Sequence, residues 1–302
     1  MSFEITIAIP VYNRYISFEE AIESALNQET AVNILVVDNN SDHDKFSKYV
    51  KSLNNERVSY IRNSVNLGMV ENWNVCIEKC VTPWLTILHD DDWLHPKFTE
   101  ISEKLIGLYP KAKCITAICR VGQNINSLDF DVSKDSNIIS LGKNSLLYDN
   151  LSPFPGVLFN VSIVKELKGF DPAMYPSSDL DLWMKIVRIH QTIKILMPLS
   201  FYRISDAQTT NNVINEIIMQ SEIIRAKFYN GFFLRKLVSH YNLYKIFSSY
   251  RKFPALCDLK TNNIDRSFNF FNRMKKVKLL EFGLDLMLKF FRRINYSKVG
   301  KL

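Results

Sequence analysis

Three consecutive carboxylates, Asp90, Asp91 and Asp92, follow His89 and the apolar segment 84–88. A strand of that kind delivers the residues after it to the carboxyl-end edge of an open α/β sheet, where such folds bind ligands. Adjacent carboxylates repel one another, and a hard divalent cation, Mg²⁺ or Mn²⁺, is their natural neutraliser. A metal held by one or two carboxylates keeps positions open for phosphate oxygens, which points to a nucleotide-diphosphate substrate. The alternative is a solvated acidic turn that caps the helix that follows.

The residues around the triplet are predicted to form an open α/β sheet that positions it. Strands are predicted over residues 4–9, 33–37 and 58–61, and a helix over residues 70–80. Pro10 is expected to end the first strand, because proline cannot donate to a sheet ladder. Ser17 and Glu20 have capping-box spacing, which predicts a helix start between the first two strands. This alternation indicates a mostly parallel sheet flanked by helices.

The composition bounds the class of protein. A chain of 302 residues with 47% hydrophobic residues can bury a large core with an appendage. No run approaches the roughly 18 to 20 apolar residues of a membrane span, and the start of the chain reads as a strand rather than a signal peptide. We therefore expect a cytoplasmic protein. Its five cysteines are odd in number and have no paired spacing, which predicts buried thiols rather than disulfides or a zinc site.

The net charge of +7 divides unevenly along the chain. Residues 211–302 hold 18 Lys and Arg against 6 Asp and Glu, a net +12, whereas residues 1–210 hold 20 against 25, a net −5. We therefore predict an α/β domain over residues 1–210 and a helical, basic region over residues 211–302. No nucleic-acid recognition motif accompanies the positive charge, so no nucleic-acid partner is expected.

The basic region contains an amphipathic pattern. Its apolar positions at helical spacing are Val277, Leu280, Leu284, Met287, Leu288 and Phe291. Interleaved Lys and Arg residues make this the pattern of a helix lying on an anionic bilayer. The alternative is a C-terminal helix that packs on the α/β domain with solvated lysines. The aromatic and basic runs 232–236 and 290–293 favour membrane association.

Six motifs in register give the chain a family resemblance. They are residues 9–14 (IPVYNR), 36–42 (VVDNNSD), 66–74 (NLG through Asn72 and Asn74), 88–92 (LHDDD), 169–171 (GFD) and 179–183 (DLDLW). Over residues 4–210 the chain resembles the family 2 glycosyltransferases of the GT-A fold, enzymes that build bacterial surface polysaccharides. The resemblance implies a Rossmann-like, mixed and mostly parallel sheet.

The resemblance also implies a set of donor-binding residues. These are Pro10, Tyr12, Asn13, Arg14, Asp38, Asn39, Asn66, Gly68, Asn72, Asp90, Asp92, Gly156 and Arg203. Tyr12 offers an aromatic face for a nucleobase, and Gly68 permits a close-approach turn. Asp38 and Asn39 offer polar groups to a base or ribose. Family members usually have Asp at position 39, where it contacts uracil. Asn72 and Asn74 are alternatively ordinary exposed helix positions.

By the same resemblance, Asp91 is the expected metal ligand, and aligning the motif puts His89 at its first position. Shifting the frame by one makes Asp90 and Asp92 the pair, so Asp92 is kept as a second candidate ligand. Where relatives carry the motif Tyr-Arg-x-His, this chain has Ser205 in place of the histidine. Arg203 is then expected to meet diphosphate oxygens.

Asp179 lies where the family has its catalytic base, and Ser178 replaces the preceding Glu. For an inverting transfer, one carboxylate on the acceptor side removes a hydroxyl proton while the metal stabilises the leaving diphosphate. Asp179 is also compatible with an N-cap of the helix that follows. Asp181 is expected to orient the loop rather than to do chemistry.

Together these features predict an inverting glycosyltransferase that depends on Mn²⁺ or Mg²⁺ and has Asp179 and Asp91 as catalytic residues. The resemblance implies a UDP-sugar donor and a saccharide or lipid-linked saccharide acceptor in O-antigen, lipopolysaccharide or capsule assembly. The expected location is peripheral, at the inner face of the plasma membrane. The alternative is a non-catalytic, membrane-associated nucleotide-sugar-binding protein. A nucleotidyltransferase is disfavoured because the loop after the first strand lacks a basic, Gly-rich phosphate loop.

Overall fold

The computed structural model describes residues 4–127, 130–132, 136–148, 153–204, 213–228, 237, 241 and 278–302. The strands are β1 Ile5–Val11, β2 Asn33–Asp38, β3 Val58–Arg62, β4 Trp84–Ile87, β5 Trp93–Leu94, β6 Ala112–Gly122, β7 Asn137–Leu141, β8 Val157–Asn160, β9 Gln191–Arg203 and β10 Tyr296–Lys301. The helices are α1 Phe18–Leu26, α2 Lys45–Ser52, α3 Met69–Lys79, α4 Phe98–Leu108, α5 Val161–Glu166, α6 Ser178–Ile189, α7 Ile214–Ala226 and α8 Lys278–Asn295. Short 3₁₀ turns lie at Ile125–Ser127, Ser145–Leu147 and Pro172–Met174.

The described strands form one mixed sheet in the order β10-β7-β9-β6-β8-β4-β1-β2-β3, with β5 paired to β9. Strands β4, β1, β2 and β3 run parallel, as the predicted alternation of strands and helices requires. β8 enters antiparallel between β4 and β6, and β7 and β10 are antiparallel additions beyond β9. The predicted mixed, mostly parallel α/β architecture is therefore confirmed.

Two apolar layers hold the helices against the sheet. On one face, Phe18 and Ile22 of α1, Phe46 of α2 and Ile101 of α4 share a core. On the other face, a second core contains buried residues of α3, α5, α6 and α8, among them Trp73, Val164, Trp183 and Leu288. The domain is thus a three-layer α/β/α sandwich in which the carboxyl ends of the parallel strands stay clear of the helical layers.

The first strand is longer than predicted. Pro10 lies inside β1, opposite Val37 of β2, and the strand continues to Val11. Pairing between β1 and β4 ends at Ala8, so Pro10 has a partner strand on one side only. Proline is tolerated at such an edge-like position because no ladder bond is lost there.

Helix α1 begins where the capping-box spacing predicts, but without the capping box. Ser17 is the N-cap residue and its side chain makes no capping hydrogen bond. Glu20 instead pairs with Arg203 at the end of β9, 2.5 Å between Oε2 and Nη2. The sequence pattern located the start of the helix correctly. The Glu20 side chain that would have completed the capping box binds Arg203 instead.

The C-terminal region joins the sandwich through α8 and β10. Leu284, Leu288 and Phe291 are buried in the core of the second face, and the ring of Phe291 stacks 4.9 Å from that of Tyr148. These three positions were predicted to face a bilayer, so that assignment of the apolar face was wrong and the packed alternative holds for them. Residues 296–301 form a strand, so the region is not helical throughout.

Several sequence features lie outside the described residues. They are Cys257, Ser205, the run 232–236, Val277 and the predicted boundary near residue 210, which stays a prediction. The other four cysteines are free thiols, and three of them, Cys76, Cys80 and Cys114, are buried as expected. Within the described ranges, no helix combines the length and apolar character of a membrane span.

Candidate active site

The carboxyl ends of three parallel strands bring the predicted site residues to one edge of the sheet. In the register of the sheet Val11 is opposite Asp38, and Leu88, after β4, donates its N–H to the carbonyl of Ala8 at 2.9 Å. The loops that follow these strands carry residues 12–14, 39–42 and 89–92. Segments separated by more than seventy residues therefore meet as the parallel-sheet rule predicts.

Arg14 joins the first of these loops to the third. Its Nη1 lies 2.8 Å from Oδ2 of Asp91, and its guanidinium also donates to both carboxylate oxygens of Asp90. Asp90 and Asp91 are buried, whereas the Arg14 side chain is partly exposed. Burial raises the pKa of Asp90, and the guanidinium of Arg14 opposes that rise. One guanidinium thus pairs with two neighbouring carboxylates at the sheet edge.

Asp92 faces away from that pair. Its Oδ1 accepts the backbone N–H of Arg203 at 3.0 Å, and its Oδ2 lies 3.5 Å from Nδ1 of His89. The side chain has no exposed surface, and burial raises its pKa well above the ordinary value of an aspartate. Asp92 therefore fixes the loop to β9, while Asp90 and Asp91 pair with Arg14.

His89 is packed among aromatic rings. It stacks 5.7 Å from Trp73 and lies 4.8 Å from Phe154. Burial lowers its pKa, but the nearby carboxylates, Asp92 first, raise it more, so the pKa of His89 lies above its ordinary value. Through Phe154, the loop that precedes Gly156 reaches the base of the site. Gly156 itself has a φ of 97° and accepts the N–H of Ala117 at 2.9 Å, which ties that loop to β6.

Arg203 supports the Asp loop from its backbone side. Its Nε donates to the carbonyl of Asp91 at 2.9 Å, and Glu20 binds its Nη2. Together with the bond from its own N–H to Asp92, this holds two atoms of the Asp loop and ties the loop to α1 through Glu20. The predicted contact to diphosphate is not tested by this arrangement. Glu20 was missed by sequence reasoning because nothing in its helical position signals a partner 183 residues away.

Asp38 is a buried structural acceptor. One of its oxygens accepts from the N–H and hydroxyl of Ser41 at 2.8 and 2.7 Å, and the other accepts from the hydroxyl of Tyr60 at 2.6 Å. Burial, and then the bond to Asp38, raises the pKa of Tyr60. These bonds shape the turn after β2 rather than presenting a free carboxylate to a ligand.

Asn39 is the centre of a side-chain amide network. Its Nδ2 donates to Oδ1 of Asn66 at 2.8 Å and to the carbonyl of Gly68 at 3.2 Å. Its Oδ1 accepts from the N–H of Leu67 and from Nδ2 of Asn63. The side chain thereby fixes the turn that leads into α3, where Gly68 has a φ of 83°.

Asn63, which sequence reasoning missed, extends that network to the next helix. It also donates to Oδ1 of Asn72 at 2.9 Å, and Asn72 in turn donates to the carbonyl of Val37. Asn74 makes a paired bond with the backbone N–H and carbonyl of Phe170, both at 2.9 Å. Asn72 is buried and both asparagines are tied to other elements, so reading them as ordinary exposed helix positions is wrong.

Tyr12 and Asn13 form the open rim of the site. Tyr12 leaves 45% of its surface exposed. Asn13 has a φ of 56°, and its Oδ1 accepts the N–H of Asp42 at 2.8 Å. Asn13 N–H also donates to the hydroxyl of Ser41. The two loops are therefore clamped together, and the ring of Tyr12 is held where a planar ligand can reach it.

Asp179 lies in the first turn of α6 and is partly exposed. The N-cap position belongs to Ser177, and Ser178 donates its hydroxyl to the carbonyl of Asp171 at 2.8 Å. Burial raises the pKa of Asp179, while the charges of His89 and Arg225 oppose the rise. A carboxylate whose pKa is raised by burial has a property expected of a general base.

Asp181 has a different environment on the same helix. Its carboxylate lies 2.6 Å from Nζ of Lys185 and 3.7 Å from Nζ of Lys227. It therefore links α6 to the residue that follows α7. Asp181 is a helix residue, so the expectation that it orients a loop is wrong, although it does hold neighbouring elements together.

A divalent metal fits the two carboxylates that pair with Arg14. Among the residues that the structure describes, no group of three or more His, Cys, Asp or Glu side chains is arranged to enclose a metal. Mg²⁺ and Mn²⁺ sites that take phosphate oxygens need only one or two protein carboxylates, and Asp91 with Asp90 supplies them. Arg14 is the cation that such a metal would meet there.

Comparison with known proteins finds similarity to glycosyltransferases. Residues 6–146 match the family model described as glycosyl transferase family 2. An uncharacterized glycosyltransferase of Rickettsia typhi is 28% identical over 224 residues, which cover 70% of this chain and 68% of that protein. A putative colanic acid biosynthesis glycosyl transferase of Escherichia coli is 32% identical over 90 residues, covering 29% of this chain and 32% of that protein.

Solved structures share the fold at low sequence identity. The S. aureus protein TarS, residues 1–349 in complex with UDP-GlcNAc, aligns with a TM-score of 0.63 at 14% identity and covers 88% of this chain and 78% of that chain. A mannosyltransferase from Pyrobaculum calidifontis, in complex with GDP-Man and Mn²⁺, aligns with a TM-score of 0.57 at 13% identity and covers 97% and 84%. These likenesses confirm the GT-A fold.

Proposed function

We propose that this chain, as a family 2 glycosyltransferase with a GT-A fold, moves a sugar, with inversion, from a UDP-linked donor to a saccharide acceptor. The observation that carries the proposal is the meeting of Arg14 with Asp90 and Asp91 at the carboxyl-end edge of the parallel strands. That edge offers a guanidinium to diphosphate oxygens and carboxylates to a metal ion.

In the proposed reaction the acceptor hydroxyl oxygen attacks the anomeric carbon as the bond from that carbon to the diphosphate breaks. Asp179 takes the hydroxyl proton, so the nucleotide diphosphate leaves and the glycosidic bond forms with inverted configuration. The raised pKa of Asp179 makes its carboxylate a stronger base than that of an ordinary aspartate. Tyr12 stacks on the base, and Arg14 meets the diphosphate.

Mn²⁺ or Mg²⁺ would be held by Asp91 with Asp90 beside it, and when bound it would stabilise charge on the leaving diphosphate. Asp92 was a second candidate ligand, but its oxygens already serve Arg203 and His89, so we assign it to loop positioning. The resemblance of the family motif, the carboxylate pair and the Mn²⁺ complex of a structural neighbour support the metal proposal.

We propose that the acceptor is a saccharide, presented on a lipid carrier, in assembly of a surface polysaccharide such as O-antigen or capsule. The relative in E. coli named for colanic acid biosynthesis supports this setting. Work at the inner face of the plasma membrane would follow from such an acceptor.

The non-catalytic alternative rested on departures from the family pattern at positions 39, 178 and 205. Two of these have structural roles: Asn39 organises the turn before α3, and Ser178 binds the carbonyl of Asp171. These substitutions therefore do not argue for loss of catalysis.

The test is donor hydrolysis across UDP-, GDP- and dTDP-sugars with Mn²⁺ and with EDTA, since water replaces an unknown acceptor. We expect metal-dependent release from one donor, lost in Asp91→Ala and Asp179→Asn. Isothermal titration of each nucleotide shows whether a silent variant still binds. Nucleotide binding without turnover on any donor or on lipid-linked saccharide acceptors would overturn the proposal in favour of a binding protein.

A further inference from the structure

The exposed positions of α8 form one continuous stripe. Among its described side chains, the exposed ones are Leu286, Lys289, Phe290, Arg293 and Ile294. Their spacing of i, i+3, i+4, i+7 and i+8 places them on a single helix face. Leu286, Phe290 and Ile294 leave 58%, 59% and 56% of their surface exposed. The stripe thus combines three large apolar side chains with two cations and contains no carboxylate.

This stripe is not the face that packs on the protein. The buried face of α8 carries Leu284, Leu288 and Phe291. The helix end is also fixed, because Asn295 accepts the N–H of Gly142 and Arg292 donates to the carbonyl of Tyr148 at 3.2 Å. An amphipathic helix normally buries one apolar face, and α8 already buries the face with Leu284, Leu288 and Phe291. The second, exposed apolar stripe therefore needs a separate explanation.

Positive charge surrounds the stripe. Residues 286–302 contain no Asp or Glu, and their basic residues are Lys289, Arg292, Arg293, Lys298 and Lys301. In β10 and at Leu302, which follows it, the exposed side chains include Lys298, Val299, Lys301 and Leu302, which repeats the mixture of cations and apolar groups. The surface beyond α8 therefore has the same sign of charge as the stripe itself.

We propose that the stripe of Leu286, Lys289, Phe290, Arg293 and Ile294 docks on an anionic lipid bilayer. Its three apolar side chains enter the boundary between headgroups and acyl chains, and Lys289 and Arg293 meet lipid phosphates. The proposal rests on the proposed function only for the location, the inner face of the plasma membrane, and it adds the protein surface that would contact that membrane. Because α8 and β10 are joined to the catalytic sheet, docking would fix that sheet relative to the membrane.

Charge favours a bilayer over a second copy of the chain. A two-fold contact between two such stripes would bring Lys289 and Arg293 against the same residues of the other copy. Like charges facing each other across an interface destabilise it, whereas anionic headgroups have the opposite sign.

The experiment is flotation of the full chain with vesicles of phosphatidylcholine alone and with about 30% phosphatidylglycerol, without donor or acceptor. Exposed amphipathic surfaces of this kind bind through apolar area and charge together, so we expect at least about tenfold stronger partition to the anionic vesicles. The triple variant Leu286→Gln, Phe290→Gln, Ile294→Gln should lose about tenfold, and Lys289→Glu with Arg293→Glu should remove the preference for anionic lipid.

A matched control carries Gln at three exposed apolar positions elsewhere, Ile16, Val81 and Ile189. It should partition like the wild type. Circular dichroism and thermal melts of every variant establish folding. If a variant fails to fold, the partition of the wild type between neutral and anionic vesicles still tests the proposal. Equal partition to neutral and anionic vesicles, or loss of binding in the control as large as in the triple variant, would overturn the proposal.

Sedimentation velocity tests the alternative partner of the stripe, a second copy of this chain. A wild-type dimer that the triple variant turns into a monomer, with no vesicle binding by either, would assign the stripe to self-association instead. Vesicle binding and donor hydrolysis are measured separately, so bilayer docking can stand if the proposed transfer fails and can fail while transfer stands.

Discussion

The sheet edge around Asp91 and the outer face of α8 handle charge in opposite ways. At the sheet edge the carboxylates are buried, and each has a named partner, such as Arg14 for Asp90 or Arg203 for Asp92. On α8, Lys289 and Arg293 are exposed among apolar side chains. Buried, paired charge is preorganised and costly to disturb, whereas exposed charge is weakly coupled and screened by salt. The first arrangement suits chemistry, and the second suits reversible attachment.

The largest effect expected from disturbing the buried side is that of Asp179→Asn. Removing a general base lowers kcat by about 10²–10⁴-fold. The donor Kd should stay within about twofold, since Asp179 is proposed to act on the acceptor hydroxyl. Steady-state kinetics and titration of the nucleotide measure the two quantities. Asp181→Asn is the matched control on the same helix, and an equal loss in both variants would assign the defect to α6 as a structure.

The next largest effect should come from removing the Arg14 guanidinium, which pairs with Asp90 and Asp91. Arg14→Met leaves Asp90 and Asp91 without their guanidinium, and the free energy of unfolding should fall by about 1–3 kcal/mol, a range reduced because Arg14 is partly exposed. Mn²⁺ should raise the Tm of this variant more than that of the wild type, because the metal replaces a missing charge. Thermal melts with Mn²⁺ and with EDTA measure this. The same Mn²⁺ response in both proteins would contradict competition between Arg14 and the metal.

A smaller, local effect is expected at the turn before α3. In Asn39→Asp the carboxylate cannot donate to Asn66 Oδ1 or to the carbonyl of Gly68, so both lose a buried partner. We expect the free energy of unfolding to fall by about 1–3 kcal/mol. Urea unfolding and nucleotide titration check it. Tighter UDP binding with unchanged stability would show instead that position 39 reads the base.

The pH dependence of kcat should report the environment of Asp179. A carboxylate base acts only when ionised, so transfer falls as the pH drops through its pKa, and burial places that fall above the ordinary range of Asp, about 4. Arg225 lowers this pKa, so Arg225→Met should move the acid limb to higher pH, while Arg225→Lys keeps it in place. Rate profiles over about pH 4 to 9 decide. If the acid limb of the pH–rate profile does not move in Arg225→Met, Arg225 does not influence the pKa of the base.

The smallest effect is expected on the exposed side. Lys289→Glu with Arg293→Glu should change the free energy of unfolding by no more than about 0.5 kcal/mol, because solvated surface charges contribute little to folding. Urea unfolding at low and high salt measures it. A loss as large as that in Arg14→Met would mean that the α8 cations hold the fold, and the contrast between the two regions would disappear.

Sequence reasoning worked where local pattern and sheet topology suffice. The strand before His89 and the parallel register of β1, β2 and β4 follow from periodicity and connection rules, which is why the Asp triplet was placed correctly. It did not identify partners far apart in the chain. Glu20 binds Arg203 rather than its own helix start, and Asn63 links Asn39 to Asn72. Such contacts depend on tertiary packing, which single-residue patterns do not encode.

The C-terminal helix shows the same limit in another form. Helical spacing correctly grouped Leu284, Leu288 and Phe291 on one face, but it could not say whether protein or lipid covers that face. The stripe with Leu286, Phe290 and Ile294, which has helical spacing too, was not part of that prediction. Only the docking of α8 against Tyr148 separates the two faces.

The pairing of β10 with β7 also sets an order of events in biosynthesis. Tyr296 lies opposite Leu141, and the two partners are 155 positions apart in the chain. Closing so long a loop is entropically costly and slow compared with the local strand–helix–strand units of β1 to β4. The sheet edge at β7 therefore stays open while the ribosome makes the intervening chain. We expect chaperones that recognise unpaired strands to bind nascent chains in that interval and to release them once β10 has emerged.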